Sequence, residues 1–333
     1  MHILSPSYVQ ICVACLLVLL FSCQSLNVRY FLIGEEGKLM YVNYDASTSY
    51  DGGIQAYAPS NYTSNVAMCL IVKNETIYMD EWVDFHVALG FSPIYIYDNM
   101  LAPDLELALW YEKRKDLHKH VRIIHFPITP VQVPAYDMCI KEDAKNSTFI
   151  ALFDIDEFLV LKKHNNVIDF MEEHCQEPKC GQLSVNWLMM GTSNETVYQP
   201  VPVTKRNVHT DGMWGTIKTI VRPTYVDDNI GWRHSVYLKK GYWLDTRGNI
   251  INNKGWKRQA NNEGPSDVAL LHHYSYKSEE EWNYKNCIRG SSLQNRLDKP
   301  SLCHRKILVG GKFFNDDAWQ QLKRMVPGKY GAF

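Results

Sequence analysis

The sequence predicts an α/β fold in which a mainly parallel sheet carries helices on both faces. From residue 66 onward, short apolar runs of strand type alternate with segments of helical periodicity. Several of these runs are apolar on both faces, which is typical of strands buried between two helical layers. The chain has 333 residues, 46% of them hydrophobic, and is long enough for one large domain or two small ones.

Strands and helices alternate regularly in the first half of this region. Trp82, Phe85 and Leu89 recur at helical spacing, and Gly90 predicts the end of that helix. The expected strands are 66–72, 93–97, 121–126 and 148–153, and the expected helices are 80–89, one from Pro103 onward and 135–144. Ligands of parallel sheets bind beyond the carboxyl ends of the strands. A site is therefore expected at residues 73–75, 98–99 and 154–156.

The rest of the chain is less regular. A helix is expected to begin at Ser278, where Ser-Glu-Glu-Glu forms a capping box, and to end at Gly290. The other expected elements are a strand pair within 28–42, strands at 181–190, 216–221 and 269–274, and a terminal helix at 319–325.

An apolar run at residues 9–23 predicts entry into the secretory pathway. It is shorter than the roughly 20 residues of a membrane span, which favours a signal peptide, and an uncleaved signal anchor is the alternative. The expected location is the Golgi membrane, as a single-pass type II protein, or the exterior after cleavage. We expect a targeting segment (1–25), a stem (26–65), a main domain (66–300) and a C-terminal extension (301–333).

Cysteines, sequons and charge agree with that route. Of nine cysteines, six follow the apolar run, an even number compatible with disulfides in an oxidising lumen. We expect Cys175 and Cys180 to be bridged across Pro178. The net charge of −1 gives no bulk attraction to nucleic acid, so none is expected as a partner. Sequons for N-glycosylation stand at Asn61, Asn74, Asn146 and Asn194.

The strongest chemical signal is Asp154-Ile-Asp156, which ends an apolar strand and is followed by Glu157 and Phe158. Carboxylates two residues apart project to one side of an extended backbone, and they repel each other unless a cation intervenes. A hard divalent ion that also binds phosphate oxygens satisfies such a pair. The alternative is an ordinary solvated turn after a strand.

Ordered blocks around this motif resemble glycosyltransferase family 92, once a domain of unknown function. The resemblance spans about residues 66 to 292. It rests on Val-Lys-Asn-Glu at 72–75, Glu81-Trp82, His86, Leu89-Gly90, Ile-Tyr-Ile-Tyr-Asp-Asn at 94–99, Asp-Ile-Asp-Glu-Phe at 154–158, Trp-Leu-Met-Met-Gly at 187–191, Lys-Thr-Ile-Val-Arg-Pro at 218–223, His234, Leu-His-His-Tyr at 271–274 and Lys-Ser-Glu-Glu-Glu-Trp at 277–282. It implies a GT-A type, Rossmann-like fold. The family is similar to inverting transferases, and its known members include β-1,4-galactosyltransferases that use UDP-galactose and a divalent metal, typically manganese.

The resemblance also implies roles for individual residues. The metal ligands become Asp154, Asp156 and His273, with Asp154 also on the diphosphate and His234 in reserve. His272 should face away from the site because neighbours on a strand alternate. The nucleoside pocket is expected at Lys73, Asn74, Glu75 and Asp98. A glycan on Asn74 would block that pocket, so Asn74 is expected to be unmodified.

Further candidates follow for phosphate and for the acceptor. The basic candidates for phosphate are Lys218, Arg222 and, less strongly, Arg289, for which surface solvation is the alternative. The acceptor side is expected at Trp187, Met189 and Met190, with core packing as the alternative for the methionines. An inverting transfer also needs a base for the acceptor hydroxyl. Asp211 and Glu263 both lie in Gly-flanked, loop-like stretches that could enter the site, and Asp211 is preferred, ahead of Glu157 and Glu263.

The sequence thus predicts a metal-dependent inverting glycosyltransferase. By resemblance it would move galactose, or another hexose, from a UDP-sugar to a glycan, with Mn²⁺ or another divalent cation as cofactor. Two alternatives stay open: a glycosidase, whose paired carboxylates flank a substrate, and a non-catalytic carbohydrate-binding protein derived from a transferase. Membrane attachment would come from an uncleaved N-terminal segment.

Overall fold

A computed structural model describes residues 64–252, 260–290 and 310–332, together with the backbone of 28–33 and 39–42. The predicted targeting segment and the sequon at Asn61 lie outside these residues, and so does Cys303. The domain boundaries given above stay predictions. Within the described ranges, no helix has both the length and the apolar character to span a bilayer.

The strands, in chain order, are β1 (Val28–Ile33), β2 (Leu39–Val42), β3 (Val66–Val72), β4 (Phe91–Asp98), β5 (Val121–His125), β6 (Phe149–Leu152), β7 (Glu157–Leu161), β8 (Cys180–Met190), β9 (His209–Val221), β10 (Val226–Gly231), β11 (Val236–Leu238), β12 (Tyr242–Leu244), β13 (Ala269–His273) and β14 (Phe313–Phe314). The α-helices are α1 (Met79–Ala88), α2 (Leu105–Lys113), α3 (Gln132–Met138), α4 (Val167–His174), α5 (Val203–Arg206), α6 (Glu279–Asn283), α7 (Asp317–Met325) and α8 (Pro327–Tyr330).

One large sheet organises the molecule, in the strand order β2-β1-β5-β4-β3-β6-β9-β8-β13-β7. The strands from β1 to β6 in this order are parallel to one another, whereas β2 is antiparallel to β1. β9 is antiparallel to both β6 and β8, and β7 is antiparallel to β13. The parallel half therefore has the predicted character, while the second half of the chain makes the sheet mixed.

Side-chain alternation along β3 separates two cores. Every residue of β3 is buried. Val66, Met68 and Leu70 pack into the larger core, with side chains such as Trp82 of α1. Ala67, Cys69 and Ile71 face the other core, which α3 covers with Ala135 and Tyr136. The two-sided burial explains the continuous apolar runs, and it confirms the predicted α/β fold with helices on both faces.

Several helix ends follow directly from the sequence. α1 ends before Gly90, which has a φ of +105° and so tolerates a conformation that other residues rarely adopt. Asp104 caps α2 by accepting hydrogen bonds from the backbone N–H groups of Glu106 and Leu107. The Ser278 hydroxyl caps α6 in the same way, by accepting from the N–H of Glu281.

Two expected helices continue as wider turns of π type. The helix expected at 135–144 is α3 followed by such a turn at Cys139–Asp143. The helix expected from Ser278 to Gly290 is α6 followed by another at Tyr284–Ile288. π-type turns often occur at functional sites, and the second of them lies beside the cavity described below.

Two disulfides form within the described part of the chain. The expected bridge between Cys175 and Cys180 is confirmed. A second bridge joins Cys69, in the middle of β3, to Cys139, at the end of α3. This bridge fixes the covering helix to β3, the strand whose carboxyl end leads to Lys73.

Candidate active site

A cavity of about 240 Å³ opens at the carboxyl edge of the sheet, between β3 and β6. The chain passes outward from β3 through β4 to β5 on one side, whereas β6 lies on the other side. Strand order therefore reverses between β3 and β6, which is where open α/β sheets bind ligands. Lys73 follows β3 and Asp154 follows β6, and both line the cavity.

Asp156 lies deep in this cavity and is 2% exposed. Its Oδ2 is 2.5 Å from Nζ of Lys285 and 3.9 Å from Nζ of Lys277, and its Oδ1 is 3.4 Å from Nε2 of His273. Burial alone would raise the pKa of Asp156, but the neighbouring cations, Lys285 foremost, hold that pKa well below its ordinary value. Asp156 is therefore an ionised carboxylate in the folded protein.

Asp154 has a separate set of partners on the other wall. Its Oδ2 is 2.9 Å from Nζ of Lys218, and its Oδ1 accepts a hydrogen bond of 3.1 Å from the Tyr136 hydroxyl. Burial opposes ionisation here too, but Lys218 outweighs it and lowers the pKa of Asp154. The two aspartates share the cavity, yet each carboxylate is held by its own cation.

A hydrogen-bonded turn holds the motif in this position. The Glu157 carboxylate accepts a bond of 2.8 Å from the N–H of Asp154, and the Glu157 N–H donates to the Asp154 carbonyl at 3.0 Å. The indole of Trp82 on α1 donates to the carbonyls of Asp154 and Glu157 at 3.1 and 2.9 Å. The blocks at 81–82 and 154–158 are thus parts of one structural unit.

Glu157 and Lys218 are buried beneath this turn, so the roles predicted for them, as base and as phosphate ligand, are wrong. Glu157 is fully buried and is not among the described residues that line the cavity, so it does not reach an acceptor hydroxyl as a base. Burial, together with the like charge of the aspartates, raises its pKa well above the ordinary value. Lys218 is also fully buried, with Nζ 3.4 Å from Oε2 of Glu157. It supports Asp154 from below and does not face the cavity as a phosphate ligand.

The two histidines of β13 alternate as expected. His273 lines the cavity, whereas His272 does not and is fully buried. Burial lowers the pKa of His273, so its imidazole is neutral and can donate a lone pair to a metal. Trp187 of β8 lies against it, with ring centroids 4.0 Å apart, and also lines the cavity. His234, the reserve ligand, lines the cavity and is anchored through Nδ1, 3.0 Å from the Ile217 carbonyl oxygen.

Cationic side chains that sequence reasoning missed form a wall of the cavity. Lys285 and Arg233 line it, and Lys277 approaches Asp156 from outside the lining. Arg289, the weaker candidate for phosphate, lines the cavity and reaches Glu75, with Nη1 and Oε1 2.6 Å apart. The sequence could have indicated Lys285 through its i, i+4 spacing from Arg289, because a helical segment presents residues at this spacing on one face.

The predicted nucleoside residues separate into two groups. Lys73 and Glu75 line the cavity, and Asn74 lines a smaller pocket next to it, where its amide donates to the Tyr284 hydroxyl at 2.5 Å. Asp98 does not line the cavity: its carboxylate accepts from the backbone N–H groups of Met100 and Asp104 at 3.0 and 2.8 Å. Asp98 therefore shapes the loop after β4.

The remaining candidates for phosphate binding, for the acceptor side and for the base are not among the described residues that line the cavity. Arg222 stacks on Phe149, with its guanidinium 4.5 Å from the ring centroid, and donates to the Cys175 carbonyl at the opposite edge of the sheet, so it is not a phosphate ligand. Met189 and Met190 are buried and are not among the described residues that line the cavity, and Met190 packs into the larger core. Asp211, on β9, and Glu263, in an exposed loop, are likewise not among the lining residues.

The donor set suits a divalent cation. Carboxylate oxygen from Asp156 and neutral imidazole nitrogen from His273 already approach each other, and the combination is compatible with Mn²⁺ or a similar ion. Asp154 offers a second carboxylate to the same cavity. Lys285 now balances the charge of Asp156, so a cation that binds there competes with this ammonium group.

Comparison with known proteins finds distant relatives. A glycosyltransferase family 92 protein of Oryza sativa subsp. japonica is 23% identical over 178 residues, 53% of this chain and 30% of that protein. One of Ricinus communis is 21% identical over 229 residues, 63% of this chain and 34% of that protein. The chain thus spans about a third of the length of these curated relatives.

Among solved structures, Staphylococcus aureus TarS 1-349 aligns with a TM-score of 0.35 and 11% identity, over 72% of this chain and 69% of that chain. The mannosyltransferase PcManGT from Pyrobaculum calidifontis, in complex with GDP-Man and Mn²⁺, aligns with a TM-score of 0.34 and 10% identity, over 62% of each chain. Both likenesses are too distant to carry an argument about function.

The family model decides the assignment. The model of glycosyltransferase family 92 matches residues 64–289, which is more than half of the chain and includes all the described residues that line the cavity. The chain therefore belongs to glycosyltransferase family 92.

Proposed function

We propose that this protein is a metal-dependent glycosyltransferase of GT-A type that takes a sugar from a nucleoside diphosphate donor. One observation carries the proposal: two ionised aspartates, a neutral imidazole and several cationic side chains line or border one cavity. This cavity lies where the strand order reverses, between β3 and β6. A diphosphate carries negative charge that needs both a metal and cationic side chains. A neutral ligand would gain no electrostatic attraction from these cationic side chains.

Asp156 and His273 are the residues that would hold the cation, with Asp154 as the second carboxylate. A bound divalent ion would neutralise the charge that grows on the diphosphate as the sugar leaves. Lys285, Arg289 and Arg233 would bind the diphosphate oxygens from the facing wall. Charge-assisted contacts of this kind are about twice as strong as neutral hydrogen bonds.

The nucleoside would lie over the loop after β3. Lys73 and Glu75 line the cavity there, and Arg289 holds the loop through the Lys73 carbonyl at 2.8 Å and the Glu75 carboxylate. Uridine as the nucleoside and galactose as the sugar follow from the family resemblance, and so does inversion at the anomeric carbon.

Trp187 would form the sugar-binding side of the cavity. Its indole lies against His273, and aromatic faces suit the apolar face of a hexose. Asp211, on β9 and outside the described cavity lining, would serve as the base for the acceptor hydroxyl once donor and acceptor binding moves β9 toward the cavity.

The test measures donor binding and turnover separately. The purified protein is titrated with UDP in the presence and absence of Mn²⁺, and release of UDP is then followed with a panel of UDP-sugars and glycan acceptors. We expect Mn²⁺-dependent UDP binding that Asp156→Asn weakens by about 100-fold or more, since it removes a charged metal ligand. The matched control is Asp228→Asn, an aspartate on β10 that lies outside the cavity.

Each other outcome selects a different function. UDP binding that is unchanged in Asp156→Asn would overturn the site assignment. Mn²⁺-dependent binding of UDP without turnover of any donor would favour a non-catalytic protein derived from a transferase. Glycan cleavage that survives removal of divalent ions would favour a glycosidase.

A further inference from the structure

A second cluster of metal-binding side chains lies far from the cavity. His164, Glu173 and His174 each offer one ligand atom, and these three atoms lie within 4.8 Å of one another. His164 follows β7, while Glu173 and His174 form the last turn of α4. The cluster therefore joins the segment before α4 to the end of that helix.

Two distances within the cluster are close to those between the ligand atoms of a metal site. Nε2 of His164 is 2.9 Å from Oε2 of Glu173, and Nε2 of His174 is 3.4 Å from Oε1 of Glu173. Tetrahedral zinc, with bonds of roughly 2.0–2.1 Å, places neighbouring ligand atoms about 3.3 Å apart. The ion would enter between these atoms after a small outward movement of the glutamate.

The imidazole groups are held in place by packing. His164 and His174 side chains are 9% and 12% exposed, and both rings contact the buried ring of Phe170, with centroids 5.7 and 5.5 Å away. Nε2 of His174 is buried and makes no hydrogen bond among the described residues, although it lies 3.4 Å from Oε1 of Glu173. A buried nitrogen of this kind costs free energy unless its lone pair binds a proton donor or a metal.

The third ligand is open to solvent. The Glu173 side chain is 63% exposed, so an ion can reach the cluster without opening the core, and a water molecule can complete its coordination. Two histidines and one carboxylate suit a zinc-class ion better than the hard cations that all-oxygen sites prefer.

This cluster is separate from the candidate active site. β7 begins at Glu157, directly after Asp156, and its five residues run away from the cavity before the chain reaches His164. Five residues of strand span about 17 Å. His164, Glu173 and His174 are also not among the described residues that line the cavity.

We propose that His164, Glu173 and His174 form a second metal site, which binds one divalent ion of the zinc class with an open fourth position. By coordinating His164 together with Glu173 and His174, the ion connects the two ends of this segment, next to the disulfide between Cys175 and Cys180. It thereby stabilises the side of the domain opposite the donor cavity. The competing explanation is an ion pair between a surface glutamate and its two histidine neighbours.

The experiment uses protein without a histidine tag, stripped with a chelator, in the Asp156→Asn background, which disables the cavity as a competing site. Zn²⁺ affinity is measured by competition with a chromophoric chelator, and Co²⁺ absorption reports the ligand geometry. Glu173→Gln and His174→Asn are compared with Glu142→Gln, a matched exposed glutamate paired with Lys145. Thermal unfolding with and without Zn²⁺ shows that each variant is folded and gives a second readout.

We expect one equivalent of Zn²⁺ in the Asp156→Asn protein, a tetrahedral Co²⁺ spectrum and a Zn²⁺-dependent rise in Tm. Glu142→Gln should keep all three, whereas Glu173→Gln and His174→Asn should weaken Zn²⁺ binding by roughly 10-fold or more and lose the rise in Tm. The proposal is overturned if the Asp156→Asn protein binds no Zn²⁺. It is equally overturned if both cluster variants bind Zn²⁺ as tightly as the control.

Discussion

At the scale of single residues, the site depends on how each aspartate is balanced by a cation. Asp154 rests on the buried Lys218, whereas Asp156 faces Lys285 across the cavity. The Lys218 side chain is fully buried and has no room to move away from Asp154. The Lys285 side chain is 27% exposed and can turn toward a ligand. The first pair is structural, and the second is the one that a metal and a diphosphate would rearrange.

Replacing Lys218 should destabilise the protein. Lys218→Met leaves Asp154 and the buried Glu157 without their cation, and breaking a buried ion pair in this way costs about 3–5 kcal/mol. Urea unfolding measures the change. Lys145→Met, at an exposed lysine, should change the free energy of unfolding by less than about 0.5 kcal/mol. Equal stability of the two variants would contradict the supporting role of Lys218.

Replacing Lys285 should affect the donor and leave the fold intact. Loss of one charge-assisted contact to a diphosphate costs about 1.5–3 kcal/mol, so Lys285→Met should weaken UDP binding by roughly 10- to 150-fold at saturating Mn²⁺. Calorimetric titration measures the affinity, with Lys145→Met again as the control. Unchanged affinity for UDP in Lys285→Met would remove this residue from the proposed diphosphate site.

His272 should make the fold sensitive to acid. Burial lowers its pKa from about 6.5 to about 3, so the unfolded chain binds a proton below pH 6.5 that the folded chain does not bind. Stability should therefore fall as the pH drops from 6.5 toward 3, by about 1.4 kcal/mol per pH unit for this residue.

The variant His272→Leu tests this assignment, because it removes both the titration and a buried ring whose nitrogens have no hydrogen-bond partner in the described structure. Urea unfolding at pH 7 and pH 5 should show a larger gain in stability at pH 5. His272→Asn also removes the titration and serves as the control for side-chain polarity. A gain that is the same at both pH values would contradict a lowered pKa.

At the scale of elements, covalent and packing restraints hold the cavity edge. Cys69 and Cys139 attach α3 to β3, and α3 supplies Tyr136 and Gln132 beside Asp154. The blocks that follow β3 and β6 meet only because both strands end at the same edge. The short bridge between Cys175 and Cys180 closes a local loop at the other edge.

The two bridges should differ in their effect on stability. The longer one joins residues 70 positions apart and the shorter one joins residues 5 apart. In the chain-entropy description, removing them costs about 4 and about 2 kcal/mol, respectively. Urea unfolding of Cys69→Ala/Cys139→Ala and of Cys175→Ala/Cys180→Ala compares them directly. A smaller loss for the longer bridge would indicate that α3 is held by packing alone.

At the scale of the whole molecule, the position of the cavity entrance determines which sequons can carry an N-glycan without blocking the donor. Asn74 has a φ of +50°, and its amide is bound to Tyr284 beside the cavity. Asn146 is exposed in the turn before β6, on the amino side of the sheet. A glycan at Asn74 would cover the proposed donor entrance, whereas one at Asn146 would not.

We therefore expect protein from a secretory expression host to carry a glycan on Asn146 and none on Asn74. Peptide mass spectrometry measures the occupancy of each sequon, and Asn146→Gln provides the control by removing the expected glycan without loss of UDP binding. A glycan on Asn74 in preparations that bind UDP would show that the loop after β3 does not line the donor entrance.

Much of the molecule was determined by the sequence itself. Apolar runs on both faces predicted a buried parallel sheet, and the motif at 154–156 predicted where two carboxylates would meet. Alternation along β13 correctly predicted that only one of His272 and His273 faces the cavity, and the family resemblance correctly indicated His273. These features depend on local periodicity, which the sequence carries directly.

Only the tertiary structure decided which charges share the cavity. Lys218 lies on β9 and Arg222 directly follows that strand, and the two looked equivalent in the sequence. In the structure Lys218 is buried beneath Asp154, whereas Arg222 stacks on Phe149 at the far edge of the sheet. Lys285 is 129 residues from Asp156 and reaches it because a π-type turn after α6 folds across the cavity. The physical reason is that burial and charge pairing depend on packing between elements distant in the chain, which local periodicity does not encode.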